Sequence, residues 1–189
     1  DQSGWNNLCE QLKVSKITSF TAIDIGMGPV ALRTLATSLP AGVSSLAISG
    51  NRIFGQKSRD NDGRRPYVHD VDKDQSGWNA LCEHLKVSSI TSFTASAIGM
   101  GPVALRTLTT SLPAAVTSLT LFDNPLTGGN WDEFAGVEML FEAMGKSHLR
   151  TVNLGKCRLQ PQNMRPLADA IKVMAAVTSL NISGSFPAG

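Results

Sequence analysis

The chain has 189 residues, 42% of them hydrophobic, and a formal net charge of +2. So small a charge excludes capture of nucleic acid or an anionic membrane by bulk attraction, and no apolar run approaches the roughly 20 residues that a spanning helix requires. Cys9, Cys82 and Cys157 are too few and too scattered for a disulfide framework; read as reduced, buried thiols, they lean the chain towards an intracellular setting.

Trp5, Leu8 and Leu12 open the chain at i, i+3 and i+7, the one-sided stripe of an amphipathic helix. Ile17, Phe20 and Ala22 then occupy positions 1, 4 and 6 of a short motif whose last two apolar residues alternate as in a strand. Pro29 starts a second helix, carried by Leu32, Leu35 and Leu39, and Pro40 ends it. A second strand motif begins at Val43. An insertion of about 20 residues, roughly 54–73, separates it from the next helical stripe, Trp78, Leu81 and Leu85. From there the pattern starts again. Residues 1–53 return as 74–126 with about three-quarters of the positions identical, and a fixed period means stacked units rather than one irregular core. Strand motifs recur at Ile90, Val116, Leu149 and Val177. Helical stripes recur at Leu105, Leu108 and Leu112, at Val137, Leu140 and Met144, and at Met164, Leu167 and Ile171.

The fullest motifs are Val43xxLeu46xIle48xxAsn51xIle53, Val116xxLeu119xLeu121xxAsn124xLeu126 and Leu149xxVal152xLeu154xxCys157xLeu159. They resemble the leucine-rich repeat, LxxLxLxx(N/C)xL, over essentially the whole chain. Strand motifs start 26, 47, 26, 33 and 28 residues apart; units of that length with a full helix resemble the ribonuclease-inhibitor-like subclass. The resemblance implies an α/β solenoid, a horseshoe arc with parallel strands on its concave face and helices on its convex face, spanning 1–189 as one array and as part of a longer one. The motif's Asn satisfies backbone groups where the chain turns inward. Ile25 and Ile98 stand in that position in two copies, so their turns are expected to lack its hydrogen bonds, and Ser185 takes it in the last copy.

Motifs for chemistry are weak. Gly26, Gly28 and Ala31, repeated as Gly99, Gly101 and Ala104, match a dinucleotide fingerprint. The acidic residue about 20 positions on, Asp123 in the second copy, is Gly50 in the first, so these glycines are read as turns. Asp70, Asp72, Asp74 and Ser76 alternate like the start of a calcium loop, but Gln75 replaces its glycine and Leu81 its final glutamate. Asp74 or Ser76 is expected to cap the following helix, leaving Asp70 and Asp72 solvated. His69, His84 and His148 are not at ligand spacing. The reading is a protein that is not an enzyme and takes no cofactor and no metal.

In the resembled class the residues flanking strand positions 4 and 6 face the concave side. Here most are small and neutral, whereas binding hot spots favour Trp, Tyr and Arg. Phe122 and Asp123, with Asn153 and Lys156 beside them, are the candidate anchors on that face. The insertion supplies the others, Arg59, Arg64, Arg65 and Tyr67, on a loop of the kind that carries recognition on rigid scaffolds. The expected function is a protein-protein interaction or scaffolding module with a protein partner and no nucleic acid. The alternatives are a regulator of an enzyme, such as a GTPase-activating protein, and a calcium-stabilised extracellular adhesion module. Neither end shows the polar capping repeat that solenoids need, so self-association through uncapped ends is a further expectation.

Overall fold

The structure, a computed structural model, describes residues 2–55, 71–128, 133–174 and 176–185. Among these residues six helices alternate with six strands. They are α1 (Gln2–Lys13), β1 (Ser19–Thr21), α2 (Pro29–Ala36), β2 (Ser45–Ala47), α3 (Ser76–Lys86), β3 (Ser92–Thr94), α4 (Pro102–Thr109), β4 (Ser118–Thr120), α5 (Ala135–Gly145), β5 (Thr151–Asn153), α6 (Met164–Val173) and β6 (Ser179–Asn181). A short 3-10 turn, Pro161–Asn163, leads into α6. Pro29 and Pro102 each occupy the first turn of their helices, where a missing N–H costs nothing.

The strands form one parallel sheet in chain order. Each parallel step needs a crossover, and a helix supplies it. The register never slips: Phe20, Leu46, Phe93, Leu119, Val152 and Leu180 are successive partners along the sheet. Three-residue strands are too short to hold a sheet alone. The stack holds because each coil buries its apolar positions in a continuous core running between sheet and helices.

After each strand the chain turns through one left-handed residue at the same motif position: Asp24, Gly50, Ala97, Asp123, Lys156 and Gly184. Glycine accepts that conformation freely and aspartate tolerates it, whereas Ala97 and Lys156 adopt it at a cost of about 1–2 kcal/mol each.

Next comes the inward slot. Asn51 donates from Nδ2 to the Ala22 carbonyl of the preceding coil at 2.6 Å and to its own coil at Ile48, 3.0 Å. Asn124 repeats this with Ala95 at 2.7 Å and Leu121 at 2.8 Å. Cys157 Sγ donates to the Leu121 carbonyl and Ser185 Oγ to that of Leu154. The slot residues also correct an expectation from the sequence. The turns holding Ile25 and Ile98 do not lack the asparagine bonds, because the next coil provides them. Asn51 Oδ1 accepts from the N–H groups of Ile25 and Met27, and Asn124 Oδ1 from those of Ile98 and Met100.

The two near-identical copies are packed differently. Leu81 and Ile98 are 0% and 1% exposed, whereas their counterparts Leu8 and Ile25, with no coil before them among the described residues, are 46% and 53% exposed.

Candidate interaction surface

The strand face presents two ladders. One reads Ser19, Ser45, Ser92, Ser118, Thr151, Ser179; the other reads Thr21, Ala47, Thr94, Thr120, Asn153, Asn181. Short side chains stand here because every coil repeats the motif, so each position stacks on its own kind. The face is uncharged along its strands, and character enters only at the turns beyond them.

There the coils of β4 and β5 bring four of the sequence-predicted residues together. Phe122 leaves β4 and lies half-buried against Gly155, where a Cβ would meet its ring at 3.0 Å. Lys156, one coil on, sets Nζ 5.4 Å from the centre of that ring, within range of a cation–π attraction. Asp123 follows Phe122 at the left-handed position. Asn153 sits on β5 between Thr120 and Asn181, and its Oδ1 accepts from the Gly155 N–H at 3.0 Å, fixing the turn under the phenyl ring. Sequence reasoning missed Arg158. Its half-buried guanidinium is lowered in pKa by desolvation and raised by the charge of Asp123 nearby, and its carbonyl accepts from Thr127 Oγ1 at 2.9 Å. The signal for it was the preceding coil: Arg158 stands one place after the slot residue, and that coil has Pro125 there.

Arg59, Arg64, Arg65 and Tyr67 lie outside the described residues, as does Asp70. The base of their loop is described. Phe54 is fully buried, and its carbonyl accepts from the Asp74 N–H at 3.2 Å, so the two stems are joined there. Asp74 Oδ1 accepts from the Ser76 N–H at 2.9 Å, a local turn bond beside the N-cap Gln75, which makes no side-chain capping bond, so neither Asp74 nor Ser76 is the N-cap that the sequence led one to expect.

Asp72 is not solvated, which corrects the expectation. Its Oδ1 accepts from the Gly101 N–H at 2.8 Å, and Oδ2 from Val103 at 2.8 Å and Ala104 at 3.2 Å. The carboxylate therefore caps α4 from the preceding coil, meeting the orphan donors of that helix. Burial pushes the carboxyl above its ordinary value even though three backbone N–H groups pull the other way. Both oxygens are committed, and among the described residues no group of three or more His, Cys, Asp or Glu is placed to hold a metal ion. Asp72→Ala is expected to cost about 1–2 kcal/mol in urea unfolding, as a lost helix cap does, and added calcium is expected to leave the melting temperature of the parent chain unmoved.

The three cysteines are free and buried. Desolvation raises Cys9 and pushes Cys82 and Cys157 up to about 12. At pH 8 Cys82 and Cys157 are thiolate to the order of 10⁻⁴, and the thiolate is the nucleophile. Iodoacetamide is expected to label all three at once in denaturant. In the native chain it should label them slowly, Cys9 first, because only Cys9 sits on the edge helix.

The slot residues Asn51, Asn124, Cys157 and Ser185, each reaching back to a carbonyl of the coil before, tie this stack to the motif in the sequence. The fold is a leucine-rich repeat solenoid. The tropomodulin C-terminal domain of Caenorhabditis elegans matches it with a TM-score of 0.60 at 11% identity, over 92% of this chain and 93% of that one. A leucine-rich repeat-containing protein of Legionella pneumophila, LegL7, covers 95% of the chain with 61% of its own length, at 16% identity and a TM-score of 0.41. Neither a family model nor a curated protein matches the sequence. No helix among the described residues is long and apolar enough to cross a membrane. Within this repeat fold the ladders above form the concave face, and Phe122, Asp123, Asn153 and Lys156 lie at its turn-side margin.

Proposed function

We propose that this chain is a non-catalytic protein-binding module that docks a protein partner on the concave face, at the margin formed by Phe122, Asp123, Asn153 and Lys156. The observation that carries the reading is the Phe122–Lys156 pair. It places an aromatic ring and a cation together on a face that is otherwise short and uncharged, and aromatic anchors dominate binding energy. The insertion loop, with Arg59, Arg64, Arg65 and Tyr67, is the competing location for the same function.

The repeats themselves supply the test variants. Phe122→Ser installs the residue that Ser49 and Ser96 already provide at that motif position, and Lys156→Gly installs the glycine of the equivalent Gly50 and Gly184. Both are expected to leave the stack intact. Affinity capture from a lysate is run with the parent chain, these two variants, and a chain whose residues 56–70 are replaced by a Gly/Ser linker. The expected result is a protein held by the parent and the linker variant but lost from Phe122→Ser and Lys156→Gly. A protein lost only from the linker variant moves recognition to the loop and overturns the concave-face reading.

A further inference from the structure

We infer that the protein partner presents a short acidic segment in extended form, and that this segment lies along β5, between Arg150 at one end of the strand and Lys156 beyond the other. The inference rests on the concave-face reading and adds the chemistry of the partner to it.

Charge is not spread evenly along the chain. From Ala143 to Ala168 there are five lysines and arginines and no aspartate or glutamate, so the remaining residues together are net acidic. That stretch runs from the end of α5 through β5 into α6, and β5 has β4 on one side and β6 on the other. Three of the five cations have a carboxylate beside them. Lys146 Nζ is 2.6 Å from Glu142 Oε1, Arg165 sits in the field of Asp169, and Arg158 is half-buried in that of Asp123. Arg150 and Lys156 are exposed and make no ion pair among the described residues.

Both stand where the other coils carry something else. The place of Arg150 is held elsewhere by Thr18, Ser44, Thr91, Thr117 and Thr178, and that of Lys156 by Asp24, Gly50, Ala97, Asp123 and Gly184. Neither departure serves the stack. The hydroxyl at the first place donates to the coil before, as Thr117 Oγ1 does to the Thr91 carbonyl at 3.3 Å; Arg150 keeps only the backbone bond to Thr117. Lys156 holds a left-handed conformation that glycine adopts freely. Local rules broken at a cost to the fold mark functional positions, and what both changes add is a positive charge.

Between the two cations the row on β5 offers donors. Thr151 supplies a hydroxyl, and Asn153, whose Oδ1 is taken by the Gly155 N–H at 3.0 Å, keeps its Nδ2 to give. An ionised carboxylate only accepts, so such a row is complementary to a run of carboxylates. From Arg150 to Lys156 the backbone reaches at most about 20 Å, the length of roughly six extended residues. Direction follows from Asp123, which stands one coil before Lys156 at the same motif position. An acidic segment laid across the coils meets that like charge, whereas one laid along β5 runs from cation to cation and ends beside the Phe122 ring. Two exposed cations in single file also suit a short peptide rather than nucleic acid, whose affinity comes from neutralising many phosphates at once.

Fluorescence anisotropy with dye-labelled hexaglutamate at low ionic strength tests this, with hexaglutamine and an oligothymidylate of the same charge as controls. Arg150→Thr and Lys156→Gly install residues that other coils already carry, so the melting temperature is expected not to fall. Each is expected to weaken hexaglutamate binding about three- to fivefold, as loss of an exposed ion pair does, and the two together about tenfold. Arg106→Gln removes the same charge from α4 and is expected to change nothing. Hexaglutamate binding no tighter than hexaglutamine overturns the inference, as does equal weakening by Arg106→Gln, which would mean bulk attraction. Oligothymidylate that binds more tightly than hexaglutamate and is lost from the same variants overturns it in favour of nucleic acid. If hexaglutamate fails to bind while Phe122→Ser and Lys156→Gly still lose the captured protein, this inference falls and the concave-face reading stands. A captured protein kept by both of those variants overturns the reading and the inference with it.

Discussion

Replacing Trp78 with alanine is expected to cost about 3–5 kcal/mol, the range for deleting a large aromatic from a core that relaxes only in part, while the same change at Trp5 is expected to cost about 1–2 kcal/mol. The two tryptophans sit in near-identical sequence, Gln-Ser-Gly-Trp-Asn, and each donates its indole N–H to a helix carbonyl of the following coil at 2.9 Å, Ala104 for Trp78 and Ala31 for Trp5. Helix propensity and that hydrogen bond therefore cancel in the comparison. What differs is the preceding coil. Trp78 is 0% exposed, with the Phe54 ring centre 5.6 Å away and that of Phe93 6.3 Å away, whereas Trp5 is only partly covered. Urea unfolding at a concentration where the chain is monomeric measures both costs. Equal costs would mean that the N-terminal edge is already as well packed as the interior.

The duplication made most of the fold legible, because a repeated motif fixes its own register. Apolar positions 1, 4 and 6 located each strand, the i, i+3, i+7 leucines located each helix, and the spacing of motifs ordered the sheet. What the sequence hid was contact between coils. Ile25 and Ile98 read as turns without an asparagine, yet Asn51 and Asn124 reach back to them from 24 to 26 residues away. Asp72 read as a solvated member of an acidic run, yet it caps a helix about 30 residues further on. No local pattern encodes either bond, since the partner is set by the stack. Phe54 read as the first residue of an insertion, but the core claims it through Trp78. Among the candidate residues, Phe122 and Lys156 were separately visible. That they touch follows only from in-register coils, in which consecutive motif positions 7 and 8 become neighbours across the sheet.

Asn124→Ala is expected to cost about 3–4 kcal/mol, more than its loss of side-chain volume accounts for. The amide of Asn124 is 1% exposed and serves four backbone groups in two coils. Oδ1 accepts from Ile98 and Met100, both at 3.1 Å, and Nδ2 donates to Ala95 and Leu121. A methyl group in its place strands those groups, and each buried orphan costs about 1–3 kcal/mol, less whatever an entering water restores. Asn51 makes the same set of contacts, but its partner Ile25 is 53% exposed where Ile98 is 1% exposed. Water reaches that turn, so Asn51→Ala should cost roughly half as much. Asn124→Asp separates the two halves of the role. It keeps the acceptor for two N–H groups and aims a second oxygen at two carbonyls, so burial and repulsion raise its carboxyl above the unfolded value. A carboxyl raised in the folded state binds its proton more tightly there than in the unfolded chain. Asn124→Asp is therefore expected to be as damaged as Asn124→Ala at pH 7 and to regain stability as pH falls through its folded value, where the O–H again donates. Unfolding free energies of both variants at pH 7 and pH 5 test this. An aspartate variant with no such recovery would mean that the slot is held by the two accepted bonds alone, and that the donated bonds to Ala95 and Leu121 contribute nothing to joining the coils.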